Sequence, residues 1–145
     1  MSRAHTHRRR VRFTDCDPAG IVYFPRYFDW FHQAMESWFD EDLGLAYSEL
    51  ITERRLGLPC VHTEADFKAG CRLGEDVEVE LSVEELGNSS ITLAFAVRGS
   101  GELKATGRSV VVLAHMQPEG GVRLSRLQGE LRERVEAFVA DSGTS

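Results

Sequence analysis

After Leu58–Pro59 the hydrophobic pattern of this chain changes period, from that of a helix to that of a strand. Beyond that point Val77, Val79, Leu81 and Val83 alternate with Glu78, Glu80, Ser82 and Glu84. Successive side chains of a strand point to opposite faces. The spacing therefore predicts a half-buried antiparallel strand over Asp76–Glu84. Leu86-Gly87-Asn88-Ser89 supplies turn residues, and Ile91, Leu93, Phe95 and Val97 repeat the alternation. Gly99-Ser100-Gly101 turns the chain again, and Leu103–Met116 reads as a longer strand. Its continuous apolar run Val110–Ala114 predicts burial on both sides. Val61–Phe67 alternates imperfectly and opens the series.

Before the change of period, Pro25–Leu43 reads as one long helix. Tyr27, Phe31, Ala34 and Trp38 form one stripe, and Phe28, Met35 and Phe39 its neighbour. Together they make the wide apolar face of a helix packed deeply against a sheet. Pro25 suits a first helical turn and Gly44 a C-terminal stop. A short helical piece, Glu49–Arg55, follows Ser48 and ends near Gly57. At the other end of the chain, Ser125 and Gln128 have capping-box spacing, and Leu127, Leu131, Val135 and Phe138 line one stripe. The tail Asp141–Ser145 is expected to fray. The order is strand, long helix, four strands with hairpin-length turns, terminal helix. That order predicts an α+β domain over residues 1–145, a curved antiparallel sheet wrapped around one helix.

Composition narrows the function. Hydrophobic content of 42% and charged content of 28% suit a globular protein, and the 145 residues suit one domain. No apolar run approaches the roughly 20 residues of a membrane span, and MSRAHTHRRRVRF lacks the apolar core of a secretory signal. A cytoplasmic protein without membrane partners is expected. The net charge of −6 disfavours nucleic acid, and a polyanionic ligand would need a local basic patch. His5–Arg12 reads as a strand with a solvated basic face in preference to a nucleic-acid arm, and the His5/His7 pair as solvent-exposed in preference to a metal site. Cys16, Cys60 and Cys71 lack metal-ligand spacing and read as reduced thiols. Cys16 lies between Asp15 and Asp17, whose charges oppose thiolate formation, which argues against a cysteine nucleophile. No metal or cofactor is implied.

The chemistry concentrates in VRFTDCDPAGIVYFPRYFDWF, Val11 to Phe31. Val11–Phe13 ends a strand, Thr14–Gly20 is a turn carrying Asp15 and Asp17, and the helix opens at Pro25. A helix N-terminus offers unpaired N–H groups and partial positive charge. A carboxylate beside such a dipole is a layout for acyl transfer. From spacing alone, Asp17 is either a nucleophile or base, or an Asx-turn residue before Pro18 and Gly20. Pro25 has no N–H, so the Phe24 amide is the oxyanion donor expected, with Tyr23 beside it.

DCDPAGIVYFPRYFDWF resembles the signature of the hotdog-fold acyl-CoA thioesterases of the 4-hydroxybenzoyl-CoA thioesterase type. The likeness is close over Val11–Phe31 and extends over nearly the whole chain as an order of elements. It implies the hotdog fold, hydrolysis of an aromatic acyl-CoA to acid and coenzyme A, and assembly as a homodimer or homotetramer. By position it implies catalysis by Asp17, the Phe24 amide as oxyanion donor, and Asp15 as a turn former. Tyr23, Phe28, Phe31, His32 and Leu58 are then the expected substrate-binding residues. His32 departs from the acidic residue that relatives specific for 4-hydroxybenzoyl carry, and Leu58 replaces a small polar one. A medium-chain fatty acyl-CoA is the alternative substrate, and a non-catalytic acyl-thioester-binding module the alternative class. A dehydratase would need His32 and an acid paired in space. For coenzyme A, the turn Gly87-Asn88-Ser89-Ser90 lacks the relatives' basic run. Lys68, Arg72 and Arg98 are the cations expected instead, with Lys104 and Arg108 behind them.

Overall fold

The computed structural model describes residues 3–139. Eleven helices and strands matter for the site. Strand β1 spans His5–Arg10, helix α1 Arg26–Trp38 and helix α2 Tyr47–Thr52. Strands β2 (Leu56–Gly57), β3 (Cys60–Phe67), β4 (Asp76–Leu86), β5 (Ser90–Gly99) and β6 (Glu102–Val112) follow. Strands β7 (Ala114–Met116) and β8 (Val122–Leu124) and helix α3 (Gly129–Glu136) complete the fold. Five antiparallel strands lie in the order β1-β4-β5-β6-β3, and a small second sheet runs β2-β7-β8. This is the hotdog arrangement: one curved sheet wrapped around α1.

The period-two reading places the core correctly. Val77, Val79, Leu81 and Val83 of β4, and Leu93 and Val97 of β5, are all buried against α1. Across from them α1 buries Trp30, Phe31, Ala34 and Trp38. Each large side chain removed from water contributes about 1.5–3 kcal/mol, so this one helix is the centre of the core. Trp30 belongs to neither stripe read from the sequence, yet it is fully buried. The apolar face is wider than two stripes. After Trp38 the helix loosens into a π turn, Phe39–Leu43, and Gly44 stops it at φ 68°. That left-handed value suits glycine.

Several expectations change. The run read as one strand to Met116 breaks at Leu113, and β7 leaves for the second sheet. Ser89 and Pro59 carbonyls take the Leu113 and Val112 N–H groups there. The break ends the sandwiching expected for Val110–Ala114, and Val110 and Val112 stay half-buried. The short helix is Tyr47–Thr52, and the last helix starts at Gly129 with no side-chain cap at Gln128. The basic segment is indeed a strand, but His5 is buried, 3% exposed. Its Nδ1 meets Asp42 at 2.9 Å and its Nε2 meets Ser37 at 2.8 Å, so both ring nitrogens are engaged in tying β1 to the end of α1. The tail Asp141–Ser145 lies outside the described residues.

Candidate active site

Between β1 and α1 the chain folds into a pinned loop. Phe13–Asp15 makes a single 3-10 turn, and Cys16 then bridges Val22. Asp15 is the anchor. Its side chain is buried and takes Arg9 Nη2 and the Arg12 N–H, each at 2.8 Å. Its carbonyl takes the Tyr23 N–H at 2.9 Å, closing the loop at its base. A second strap comes from the segment after β3: the Cys71 carbonyl accepts Val22 N–H, and Leu73 N–H donates to the Gly20 carbonyl. Gly20 turns at φ 80°, where a side chain would be strained.

Asp17 sits at the tip. Its main chain bonds Ile21 and Gly20, and its Oδ1 accepts the Ala19 N–H at 2.9 Å. This is the Asx-turn that the spacing allowed. It occupies one carboxylate oxygen; the other has no hydrogen-bond partner among the described residues. The turn and a chemical role are therefore compatible. Beside it, burial pushes the Cys16 thiol pKa up, and the charges of Asp15 and Asp17 push it further, which disfavours the thiolate.

The Phe24 amide is the open donor at the start of α1. Arg26 N–H donates to the Tyr23 carbonyl, Tyr27 to Phe24 and Phe28 to Pro25, while proline offers none. The Phe24 N–H has no acceptor among the described residues. The rings of Tyr23 and Phe24 are about half exposed, at 52% and 58%, so neither is a core residue. Phe24 leans on Phe67, the last residue of β3, with ring centroids 6.2 Å apart.

An apolar cavity of about 190 Å³ opens elsewhere, between α1 and the sheet. Its roof is Phe28, Phe31, His32 and Met35, and Leu58 forms one wall. Its floor is a grid of register partners: Cys60 beside Val111, then Thr63 beside Ser109 and Leu93. Phe31 closes the far end by stacking on Phe95, centroids 4.4 Å apart and planes within 7°. His32 stands at the rim, half exposed, 3.3 Å from Glu36. The structure thus gathers Phe28, Phe31, His32 and Leu58 into one pocket. Asp17, Tyr23 and Phe24 do not line that pocket in the protomer.

The expected cations divide as well. Arg72 pairs with Ile21 and so flanks the Asp17 loop, while Lys68 follows Phe67, on which the Phe24 ring leans. Neither side chain has an acidic partner among the described residues. Arg98 lies on the outer face of the sheet, 3.0 Å from Glu80. With Arg8 and Arg10 it borders a wider open groove of about 710 Å³. Arg8 and Arg10 are paired too, with Glu78 and Asp76, so that groove is a balanced, solvated face. Lys104 is buried among Glu75, Glu102 and the Gly70 carbonyl, and Arg108 pairs with Glu84.

Sequence reasoning missed Thr63, Ser109, Met35, Phe95 and Cys60 as pocket residues. One signal was available: Ser109 shares the inward phase of Ala105 and Val111 on β6, a hydroxyl among apolar positions. Thr63 could not be found that way, because its place depends on the β3–β6 register.

Comparison with known proteins agrees with this fold. The profile of the thioesterase-like superfamily matches residues 11–135. A 1,4-dihydroxy-2-naphthoyl-CoA hydrolase of Prochlorococcus marinus (strain NATL2A) is 31% identical over 102 residues, 66% of this chain and 65% of that protein. The chain thus spans just under two thirds of that relative's length. Among solved structures, a gentisyl-coenzyme A thioesterase superposes with a TM-score of 0.79 at 30% identity, covering 88% of this chain and 98% of that one. An Asp→Asn mutant of 4-hydroxybenzoyl-CoA thioesterase, complexed with 4-hydroxybenzoyl-CoA, superposes with a TM-score of 0.84 at 25% identity, covering 92% and 99%. No helix among the described residues is long and apolar enough to cross a membrane.

Proposed function

The chain belongs to the thioesterase-like superfamily, and on that premise we propose that it hydrolyses an aromatic acyl-CoA to the free acid and coenzyme A. One observation carries the reading: the loop that ends at α1 presents a carboxylate oxygen of Asp17 and the Phe24 N–H, both without partners among the described residues. A thioester needs little more. Its leaving group is a thiolate, a weak base, so no strong general acid is required. Asp17 attacks the thioester carbon, or takes a proton from a water that does. The carbonyl oxygen gains negative charge and is stabilised by the Phe24 amide at the positive end of α1. The C–S bond breaks, and the sulfur leaves as thiolate. In the nucleophilic route a water then cleaves the Asp17 anhydride, giving the acid and the free carboxylate. The thioesterase mutant that holds its substrate carries an Asp→Asn change, which supports an aspartate in this role.

The separation of Asp17 from the acyl pocket is resolved by a homodimer. β3 is a free edge of the sheet, and nearly all of it is exposed. Exposed edges invite pairing. Two β3 strands paired antiparallel about a two-fold at the middle of the strand lay the Phe67 end of one beside the Cys60 end of the other. Phe24 rests on Phe67, and Cys60 lines the pocket. Asp17 and the Phe24 amide of one protomer then reach the acyl pocket of its partner.

In this reading Phe28, Phe31, His32 and Leu58 hold the acyl group, Tyr23 borders its entrance, and Lys68 and Arg72 face the nucleotide. Residues 1–145 act as one hotdog domain, in the cytoplasm. The test is thiol release from benzoyl-CoA and its hydroxylated analogues, followed with a thiol-reactive dye. Binding without release would identify a non-catalytic module. Faster release from a medium-chain fatty acyl-CoA would move the substrate to the alkyl class.

A further inference from the structure

Apart from His32 at its rim and the Cys60 thiol, the acyl cavity is apolar except at one place on its floor. Thr63 Oγ1 and Ser109 Oγ lie 2.8 Å apart, side by side across the β3–β6 register. Ser109 is 7% exposed, Thr63 is open to solvent, and both residues line the cavity. Two hydroxyls carry two protons. One is spent in the bond between them. The second proton, and the lone pairs not used in that bond, have no other partner among the described residues. Around them stand Phe28, Met35, Leu93 and Val111, none of which offers a side-chain partner stronger than the Met35 thioether. A polar group left unpaired in such a site is costly once a ligand excludes water.

We infer that the Thr63–Ser109 pair determines specificity by hydrogen-bonding a ring substituent of the acyl group, a hydroxyl that can both donate and accept. This rests on the hydrolase reading above and deepens it. The cavity of about 190 Å³ has room for an aryl acyl group but not for the whole thioester. An unsubstituted ring or an alkyl chain would fill the same space and strand the spare O–H. A ring hydroxyl lying over the sheet replaces the water that would otherwise meet the pair. His32, half exposed at the rim, is set apart from this contact and faces Glu36. The pair can also turn its single free proton toward either partner. It therefore reads a neutral hydroxyl without needing a charge in the pocket.

The experiment compares kcat/KM for benzoyl-CoA with that for 2-, 3- and 4-hydroxybenzoyl-CoA, in the wild-type protein and in a Thr63→Val/Ser109→Ala double variant. The wild type should favour at least one hydroxylated isomer by about tenfold, and the variant should bring that ratio to within about threefold of one. Thr63→Ser, which keeps the hydroxyl, should retain the preference. A wild type that cleaves benzoyl-CoA as fast as every isomer overturns the inference and leaves the hydrolase reading intact. So does a double variant with an unchanged ratio. If no thioester is cleaved at all, the hydrolase reading fails instead. The relative affinity of benzoate and the three hydroxybenzoates for the same proteins, measured calorimetrically, then decides the inference by the same ratio.

Discussion

The indole of Trp30 donates its Nε1–H to Oδ1 of Asp15 at 3.4 Å, so the buried helix and the acidic loop meet at one pair of atoms. The other oxygen of Asp15 holds Arg9 Nη2 and the Arg12 N–H, and the Arg9 guanidinium lies 4.7 Å above the Trp30 ring. Every partner of this carboxylate is a donor. Asp15→Asn therefore places an amide group against donors and leaves Arg9 without its counter-charge. Breaking a buried pair in this way costs roughly 3–5 kcal/mol. The expected result is a large drop in the urea midpoint, with thiol release lost in proportion to loosening of the Asp17 loop.

Phe31 occupies the space that a side chain on Gly107 would need, with its ring lying against that residue. The glycine lets Phe31 reach Phe95 and close the end of the acyl pocket. Gly107→Ala should overpack this layer and destabilise the protein by about 1–3 kcal/mol. Pushing Phe31 toward the cavity should also raise KM for aryl thioesters more than it lowers kcat. A thermal melt and a substrate titration check both.

Glu75 and Lys104 fasten the segment after β3, the strap that holds Gly20 and Val22, to β6. Burial alone would raise the Glu75 pKa, but hydrogen bonds from Ser100, the Arg72 N–H and Lys104 outweigh it and hold the carboxyl below its usual value near 4.5. Burial would lower Lys104, but Glu102 and Glu75 hold it above its usual value near 10.5. A depressed carboxyl adds stability above its unfolded pKa and loses it as pH falls through the folded one. A raised ammonium adds stability below its unfolded pKa and loses it as pH rises through the folded one. Both contributions are thus complete between those limits. Glu75→Gln should flatten the fall in unfolding free energy below pH 4.5, measured by urea titration across a pH series.

Val61 projects from the free edge of β3 and is 62% exposed. Val61→Lys should leave the protomer's stability nearly unchanged, because a lysine there costs the fold nothing. A charge on an edge strand opposes pairing, so, on the proposed β3 pairing, sedimentation should show a dimer for the wild type and a monomer for the variant, and aryl thioester hydrolysis should fall with it. A monomeric variant with full activity would separate catalysis from the proposed β3 interface.

Much of this was legible in the residues, for identifiable reasons. Val77–Val83 and Ile91–Val97 alternate because one face of each strand meets α1, and period two is a local property. Asp17 and Phe24 stand out because a loop of Asp, Pro and Gly before a helix is also local. What escaped was relational. Trp30 is buried because Asp15 and Arg9 come to it from outside its own helix. Thr63 faces the cavity because of its register with Ser109. The turn from β6 into β7 at Leu113 depends on carbonyls of Ser89 and Pro59, which no periodicity reports. The buried His5 was misread for the same cause: its partners, Asp42 and Ser37, lie on another element.

The most direct test of the account is Asp17→Asn. The amide oxygen can still accept the Ala19 N–H, so the Asx-turn and the loop should persist, as should the circular dichroism spectrum and the thermal midpoint. The ability to attack or to take a proton is lost. Steady-state thiol release from aryl-CoA should fall on the order of 10²- to 10⁴-fold, with equilibrium binding of the thioester retained. A folded Asp17→Asn protein that releases coenzyme A at the wild-type rate would contradict the account and place the chemistry on another residue.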